Sequence, residues 1–382
     1  MVKQRFLLIL SLLLVLSGTA WSRPGEPVPP QTAGGQTAAI NPLTGLPVED
    51  PQSLKLPPAL VSITNFPMSA RPQAGLSFSP IVFELYTGEG DSRLLALFYG
   101  DYPDEAETLN SKEIAPSIGP IRSGRLPYEH IRKLYNGFLV MASAYKTVAA
   151  NLSQYTNIFG SDTGDVNSAL IDVTKLEKIA SSSKKLLNSA DLGVTLFDTK
   201  VPAGGAAANT LWLPYSYMNQ IFWRYDSAGG AYQRYHDNAD GVTFSLQTDR
   251  LNGDPLAYEN VVILFAQHHA YHRNLIDVDL LYIDKMPALL LRDGKMYEIF
   301  WTTKNGEYEK TTGRTRPIRF IDAQGNPFPF KPGQTWVQIV PQYTPYEEVV
   351  DSTVYFDLKN KLQPGSGVWA VRFGPPAVEP AD

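Results

Sequence analysis

From residue 59 to about residue 350, the apolar residues come in short runs separated by glycine turns, prolines or charges. Runs of this length suit strands and are too short for the apolar stripe of a long helix, so a chain built from them folds as hydrogen-bonded sheets. In the first part, Ala59–Phe66, Ile81–Tyr86, Leu94–Tyr99 and Phe138–Ala142 read as strands. Two stretches carry a helical period instead. Leu126–Tyr135 sets Ile131 and Leu134 on one face, and Val173–Leu187 sets Leu176, Ile179, Ala180, Leu186 and Leu187 opposite lysines. The alternation predicts an α/β domain with a mixed sheet over residues 59–200.

A small-residue connector, Pro202 to Ala208, follows, and beyond it strand patterns dominate. Gln220–Tyr225, Tyr232–Tyr235, Val242–Gln247, Asn260–Ala266, Val278–Ile283, Ala288–Arg292, Tyr297–Thr302, Arg316–Ile321 and Thr335–Val340 are short and aromatic-rich, and Asp226 to Gly230 is a hairpin turn. Residues 209–350 are therefore expected to form a mostly antiparallel β domain, which makes the whole chain α+β. The connector at Val201–Ala208 is expected to separate two independently folding units. Gly367–Phe373 adds a possible strand within a tail at 351–382, and no solenoid or propeller period is present.

The ends of the chain speak to location. Lys3 and Arg5 precede the apolar run Phe6–Leu16, and Ala20-Trp21-Ser22 offers small residues for cleavage, so residues 1–22 are expected to be a secretory leader. The run is too short to span a bilayer, and no later stretch is long enough and free of charge. Residues 23–58 hold nine prolines and predict an extended linker, with a short ordered lead-in at Asn41–Pro47. The net charge is −5 and becomes more negative once the leader leaves with its two basic residues. That balance argues against a nucleic-acid partner. With no cysteine, disulfides, thiolate metal sites and a cysteine nucleophile are excluded. The expected setting is extracytoplasmic, secreted or envelope-associated, with no transmembrane segment in the mature chain.

Several residues carry candidate chemistry. Glu84 lies inside a strand on the face of Val82 and Tyr86, and Glu89 and Asp91 follow in the next turn. A carboxyl desolvated there is suited to acid–base work, and such acids together could hold a hard cation. The competing reading is structural, Glu84 paired to an arginine. Ser117 to Arg125 brings Arg122, Ser123 and Arg125 to the start of a helix, where guanidinium forks and free helix N–H groups would take a phosphate or carboxylate. With Asn65, Arg71 and Arg93 added, an anion site is expected in the first domain. Here the competing reading is that the arginines brace loops by pairing with Glu84, Glu89 and Asp91. Ser143-Ala144-Tyr145-Lys146 fits an S-x-x-K pattern, which also matches by chance at Ser181–Lys184. His268, His269 and His272 are weak metal candidates, better explained as solvated imidazoles, and no cofactor is expected.

Several blocks in order resemble one family. Asn41–Pro47, the stretch from Asn65 through Arg71 to Leu76, Ile81–Glu84, Glu89–Phe98 and Ile118–Arg125 are similar to the amino-terminal domain of YerB-like bacterial lipoproteins. Asn260–Phe265 and Pro332–Pro341 are similar to that family's carboxy-terminal domain. The resemblance implies a two-domain extracytoplasmic protein and supplies no reaction. This chain departs from it in having no cysteine to carry a lipid. Ala142–Tyr145 and Gly164–Ser168 stand where members tend to have a Gly-Gly-Ser stretch and an Arg- and His-bearing run, so any chemistry carried there is expected to be missing. Three functions stay open: a binding module for an anionic envelope polymer or saccharide, an envelope hydrolase or transferase using Glu84 or Glu89 with Arg122 and Arg125, and a scaffold or protein-interaction role. They differ in whether the four arginines and two glutamates line one cleft.

Overall fold

The computed structural model describes residues 38–104, 109, 116–162, 164, 165, 167–349 and 364–378. The leader, residues 23–37 of the linker and most of the tail lie outside the described residues. The described strands of the first half are β1 (Ala59–Thr64), β2 (Ile81–Gly88), β3 (Asp91–Phe98), β4 (Phe138–Met141) and β5 (Tyr155–Asn157), with helices α1 (Pro127–Tyr135) and α2 (Val173–Ser182). The second half adds β6 (Thr210–Ser216), β7 (Asn219–Asp226), β8 (Ala231–Asp237), β9 (Asn260–Ala266), β10 (Met286–Arg292), β11 (Lys295–Thr302), β12 (Thr335–Pro341) and β13 (Val368–Val371).

These strands do not sort by half. One mixed sheet runs from Arg319–Ile321 through β11, β10, β9, β12, β2, β3, β1 and β4 to β5. Its seam is the parallel pairing of β2 with β12, which sets Ile81 opposite Thr335 and Leu85 opposite Ile339. The connector takes part as well, since Ala206–Ala207 pairs with β11. A second sheet, built around β8, β7, β6 and β13, is antiparallel except where β13 lies parallel to β6. A mixed sheet and a β-rich region are both present, but they are joined through shared strands and not strung as two beads.

Burial follows the alternation. Val61, Ile63, Val82, Leu94 and Ala96, with Trp336 of β12, face the second sheet, where they meet Trp223, Tyr232 and Tyr258 in one core. Leu60, Phe83, Leu85, Leu95 and Leu97 face the other way and pack with Ile131 and Leu134 of α1, and with Val262 and Leu290. Each core therefore draws on both halves of the chain.

Among residues 38–58 the lead-in expected at Asn41–Pro47 is ordered and packed, while Glu49, Asp50, Pro51 and Gln52 are exposed. Leu43 is a core residue, and Asn41 is buried and donates to the Tyr99 carbonyl. The expected strand at Val278–Ile283 is displaced: the strand is Leu275–Val278, hairpinned to His268–His272. The long second helix is shorter than its apolar period, ending at Ser182 before a 3₁₀ stretch at Lys184–Ser189.

Candidate functional site

Glu84 is sealed between the two sheets. Register places it opposite Gln338 of β12 and Leu94 of β3. Arg234, on β8 of the second sheet, donates to both of its carboxylate oxygens at 3.1 and 2.9 Å. Trp336 Nε1 donates to Oε2 at 3.0 Å, while Ser92 and Asn65 donate to Oε1 at 2.8 and 3.2 Å. The Arg234 guanidinium also donates to Gln247 and lies 4.5 Å from the Trp336 ring centroid. Both charged side chains are fully buried. Such a pair is tolerable in a dry interior because both carboxylate oxygens are met by donors.

Arg71 borders this cluster. It donates to the carbonyls of Asn65 and Asp237 and to His236 Nε2 at 2.9 Å, beside a cavity of about 350 Å³ also lined by Gln247 and Met68. Burial, with Arg71 and Arg234 adding repulsion, holds the His236 pKa well below its ordinary value, so its ring is neutral.

The other arginines lie on the opposite face of the same strands. Arg93 stands opposite Leu85, not Glu84, and so points toward α1. Hydrogen bonds pair β1 with β4 in parallel only as far as Val61 and Val140. Beyond that point the segment before α1 wedges between them: Arg122 N–H donates to the Ser62 carbonyl, Ala142 N–H to the Arg122 carbonyl, and Gly124 N–H to the Ser143 carbonyl. Arg122 and Arg125 thus emerge where two parallel strands part at their carboxyl ends, the position at which open α/β sheets form ligand crevices.

What holds these three guanidinium groups is slight. Arg93 donates to the Ser123 carbonyl at 3.2 Å, and Arg125 to the Gly124 carbonyl at 2.9 Å. Their Nε atoms are buried without a partner. The Arg122 guanidinium has no hydrogen-bond or ion-pair partner among the described residues. Arg93 is only 7% exposed, and burial together with repulsion from Arg125 lowers its pKa to about 9. Arg125 is lowered as well, chiefly by burial. The nearby acid is Asp91, half-buried at the start of β3, whose pKa is raised by burial against the opposing pull of Arg93 and Arg125. No hydrogen bond joins its carboxylate to the arginines.

The six residues expected on one cleft are therefore divided. Glu84 and Asn65 lie in the inter-sheet cluster with Arg71 at its edge. Arg93, Arg122 and Arg125 gather with Ser123 and Asp91 on the other face. Glu89 belongs to neither, being exposed and paired with Arg273 at 2.9 Å. Gly88 explains that contact, since a Cβ there would sit 2.0 Å from the Arg273 carbonyl oxygen. Arg234 was missed from the sequence. The helix terminus also differs from expectation: Pro127 has no N–H, and those of Tyr128 and Glu129 go to the carbonyls of Arg125 and Leu126. The first N–H groups of α1 are therefore spent within the chain.

The histidines turn to separate partners. His268 faces the Ala266 carbonyl, His269 lies 3.0 Å from Asp279, and His272 faces Asn274. No group of three or more His, Asp or Glu suited to a metal occurs among the described residues. No helix among them is long and apolar enough to cross a membrane.

Comparison with known proteins adds the lineage. The model for the N-terminal domain of the protein of unknown function DUF3048 matches residues 43–179, and that for its C-terminal domain matches residues 211–337. "Putative lipoprotein YerB" of Bacillus subtilis (strain 168) is 28% identical over 320 residues, covering 78% of this chain and 86% of that protein. The crystal structure of YerB protein from Bacillus subtilis superposes with a TM-score of 0.60 at 25% identity, covering 79% of this chain and 97% of that one. With both domains matched in order, the chain belongs to the DUF3048 family.

Proposed function

We propose that the protein is an extracytoplasmic binding module that recognises an anionic polymer or saccharide of the cell envelope through Arg93, Arg122 and Arg125. One observation carries the reading: three guanidinium groups gather at a parting of parallel strands with no carboxylate hydrogen-bonded to any of them. Charges held this way cost stability unless something offsets them. The envelope setting draws on the leader-like residues 1–22 and on the description of the relative as a lipoprotein. The Arg122 side chain is half-exposed and its guanidinium is bonded to nothing, so Arg122→Ala removes a ligand contact without breaking the fold. Calorimetric titration with phosphorylated sugars and wall fragments should show binding to the parent and loss of at least about tenfold in the variant, at unchanged thermal stability. A parent that binds no anion overturns the reading.

A second reading, an envelope hydrolase or transferase, draws on Asp91. A half-buried carboxyl with a raised pKa beside two arginines has the properties of a general acid. Glu84, sealed from solvent, and Glu89, held at the surface by Arg273, lend it nothing. Turnover of wall fragments that disappears in Asp91→Asn while binding persists would favour this reading over simple binding.

A further inference from the structure

We infer that the group taken by the arginine cluster is a doubly charged phosphate, as in a phosphate monoester, and not a carboxylate. This deepens the binding reading above and rests on it. The first argument is charge. Arg93, Arg122 and Arg125 bring three positive charges, and Asp91 is the acid whose field reaches them. Glu89 is neutralised by Arg273. With Asp91 ionised, the cluster carries two uncompensated positive charges around a residue that is 7% exposed. A monoester dianion balances that, and a single carboxylate leaves half of it.

The second argument is donors. The Nε atoms of Arg93 and Arg125 are unpartnered, and the whole fork of Arg122 is unspent. The hydroxyls of Ser123 and Ser143 stand on the two segments joined by the Gly124 N–H, and neither is hydrogen-bonded. A phosphate monoester offers three terminal oxygens to such a set, and a carboxylate offers two. Asp91 is itself a carboxylate beside the arginines, and it does not close the cluster. A second carboxylate of the same shape would bring no oxygen geometry that Asp91 lacks.

The test is calorimetric titration of the full chain at constant ionic strength with glycerol 3-phosphate, dimethyl phosphate, sulfate and acetate, near pH 5 and near pH 7.5. A monoester gains its second charge near pH 6, so glycerol 3-phosphate should tighten about tenfold across that range relative to dimethyl phosphate. The ratio matters because burial raises the Asp91 pKa, and once ionised its carboxylate weakens the binding of every anion. Sulfate, a dianion at both pH values, should exceed dimethyl phosphate in affinity and show no gain as pH rises. Arg122→Gln should cost the monoester at least about tenfold. Vesicles of phosphatidylcholine with and without phosphatidate then separate a lipid headgroup from a soluble or polymer source. Acetate or the diester binding as tightly as the monoester, with no relative pH gain, overturns the phosphate assignment and leaves the anion reading intact. If no probe binds and Arg122→Gln changes nothing, both readings fall.

Discussion

Two arginine–carboxylate clusters lie on opposite faces of β2 and β3, built from the same residue types and resolved in opposite ways. Around Glu84 the charges balance: the two carboxylate oxygens receive bonds from Arg234, Trp336, Ser92 and Asn65, and no solvent reaches them. Around Arg93 they do not balance, for donors exceed acceptors and like charges face one another. The difference shows that an arginine beside an acid is not by itself a sign of function. What separates a fastening from a candidate site is whether the local charge is balanced without a ligand.

The largest effect should come from breaking the closed cluster. Arg234→Ala leaves Glu84 ionised and unpartnered in the inter-sheet core, and should cost about 3–5 kcal/mol in urea unfolding. Glu84→Leu combined with Arg234→Met should recover most of that loss, because the pair is replaced by apolar volume. An Arg234→Ala protein as stable as the parent would mean the pair fastens nothing. Because the pair joins the second sheet to the sheet seam between β2 and β12, both halves should unfold together.

Next in size is acid lability. His236 is buried and neutral at the edge of the closed cluster, and His268 is buried with its pKa lowered to about 4. Both folded values lie below the unfolded 6.5, so the unfolded chain takes up protons first as pH falls. The stability they contribute is complete above that pH and lost beneath it, at about 1.4 kcal/mol per pH unit for each ring. For His268 the loss should run down to about pH 4. Unfolding free energies at pH 7 and pH 5 should differ by more than one ring alone explains. A flat profile would mean that the rings are solvated.

The open cluster should respond in the opposite sense. The fold pushes the Arg93 pKa down to about 9, so at neutral pH its charge opposes folding. Arg93→Met keeps the length of the stem and removes the charge. Without ligand it should be as stable as the parent, or more stable by about 1–2 kcal/mol, while losing anion affinity. Thermal melts with and without phosphate check both parts, and a variant that unfolds would assign Arg93 to the fastening class.

Much of this contrast was legible in sequence, though its outcome was not. The alternation of Ile81–Tyr86 placed Glu84 on the buried face with Val82 and Tyr86, and that face proved to be the inter-sheet core. Its partner could have been found by the same parity: Tyr232, Arg234 and His236 alternate inward on β8, all three buried. Parity along the hairpin of β2 and β3 did not give away the division: its closing pair Gly88–Asp91 would set Arg93 opposite Tyr86, on the Glu84 face, and a bulge between Tyr86 and Gly88 moves it opposite Leu85. The shared sheet was out of reach. Parallel pairing of β2 with β12 joins segments about 250 residues apart, and no local period encodes which strand lies beside which. A composition shift at the connector marked a family boundary between residues 179 and 211, and it did not mark a break in the core.

The smallest effect concerns Ser143, which closes the open cluster at the end of β4. Its φ is 114°, in a region that favours glycine, while its carbonyl accepts from Gly124 N–H at 2.8 Å. Holding a serine there costs about 1–3 kcal/mol of backbone strain, and glycine would remove that at a cost of about 0.5–1 kcal/mol in chain entropy. Ser143→Gly should therefore stabilise the protein slightly, by about 1 kcal/mol, and Ser143→Val should destabilise it. The binding readout sharpens the comparison further. If Ser143 serves only through its carbonyl, phosphate affinity is unchanged in Ser143→Gly. If its hydroxyl is one of the free donors, affinity falls by a few-fold while stability rises. That divergence between stability and binding has no counterpart at Glu84, where every variant that breaks the cluster should weaken the fold itself.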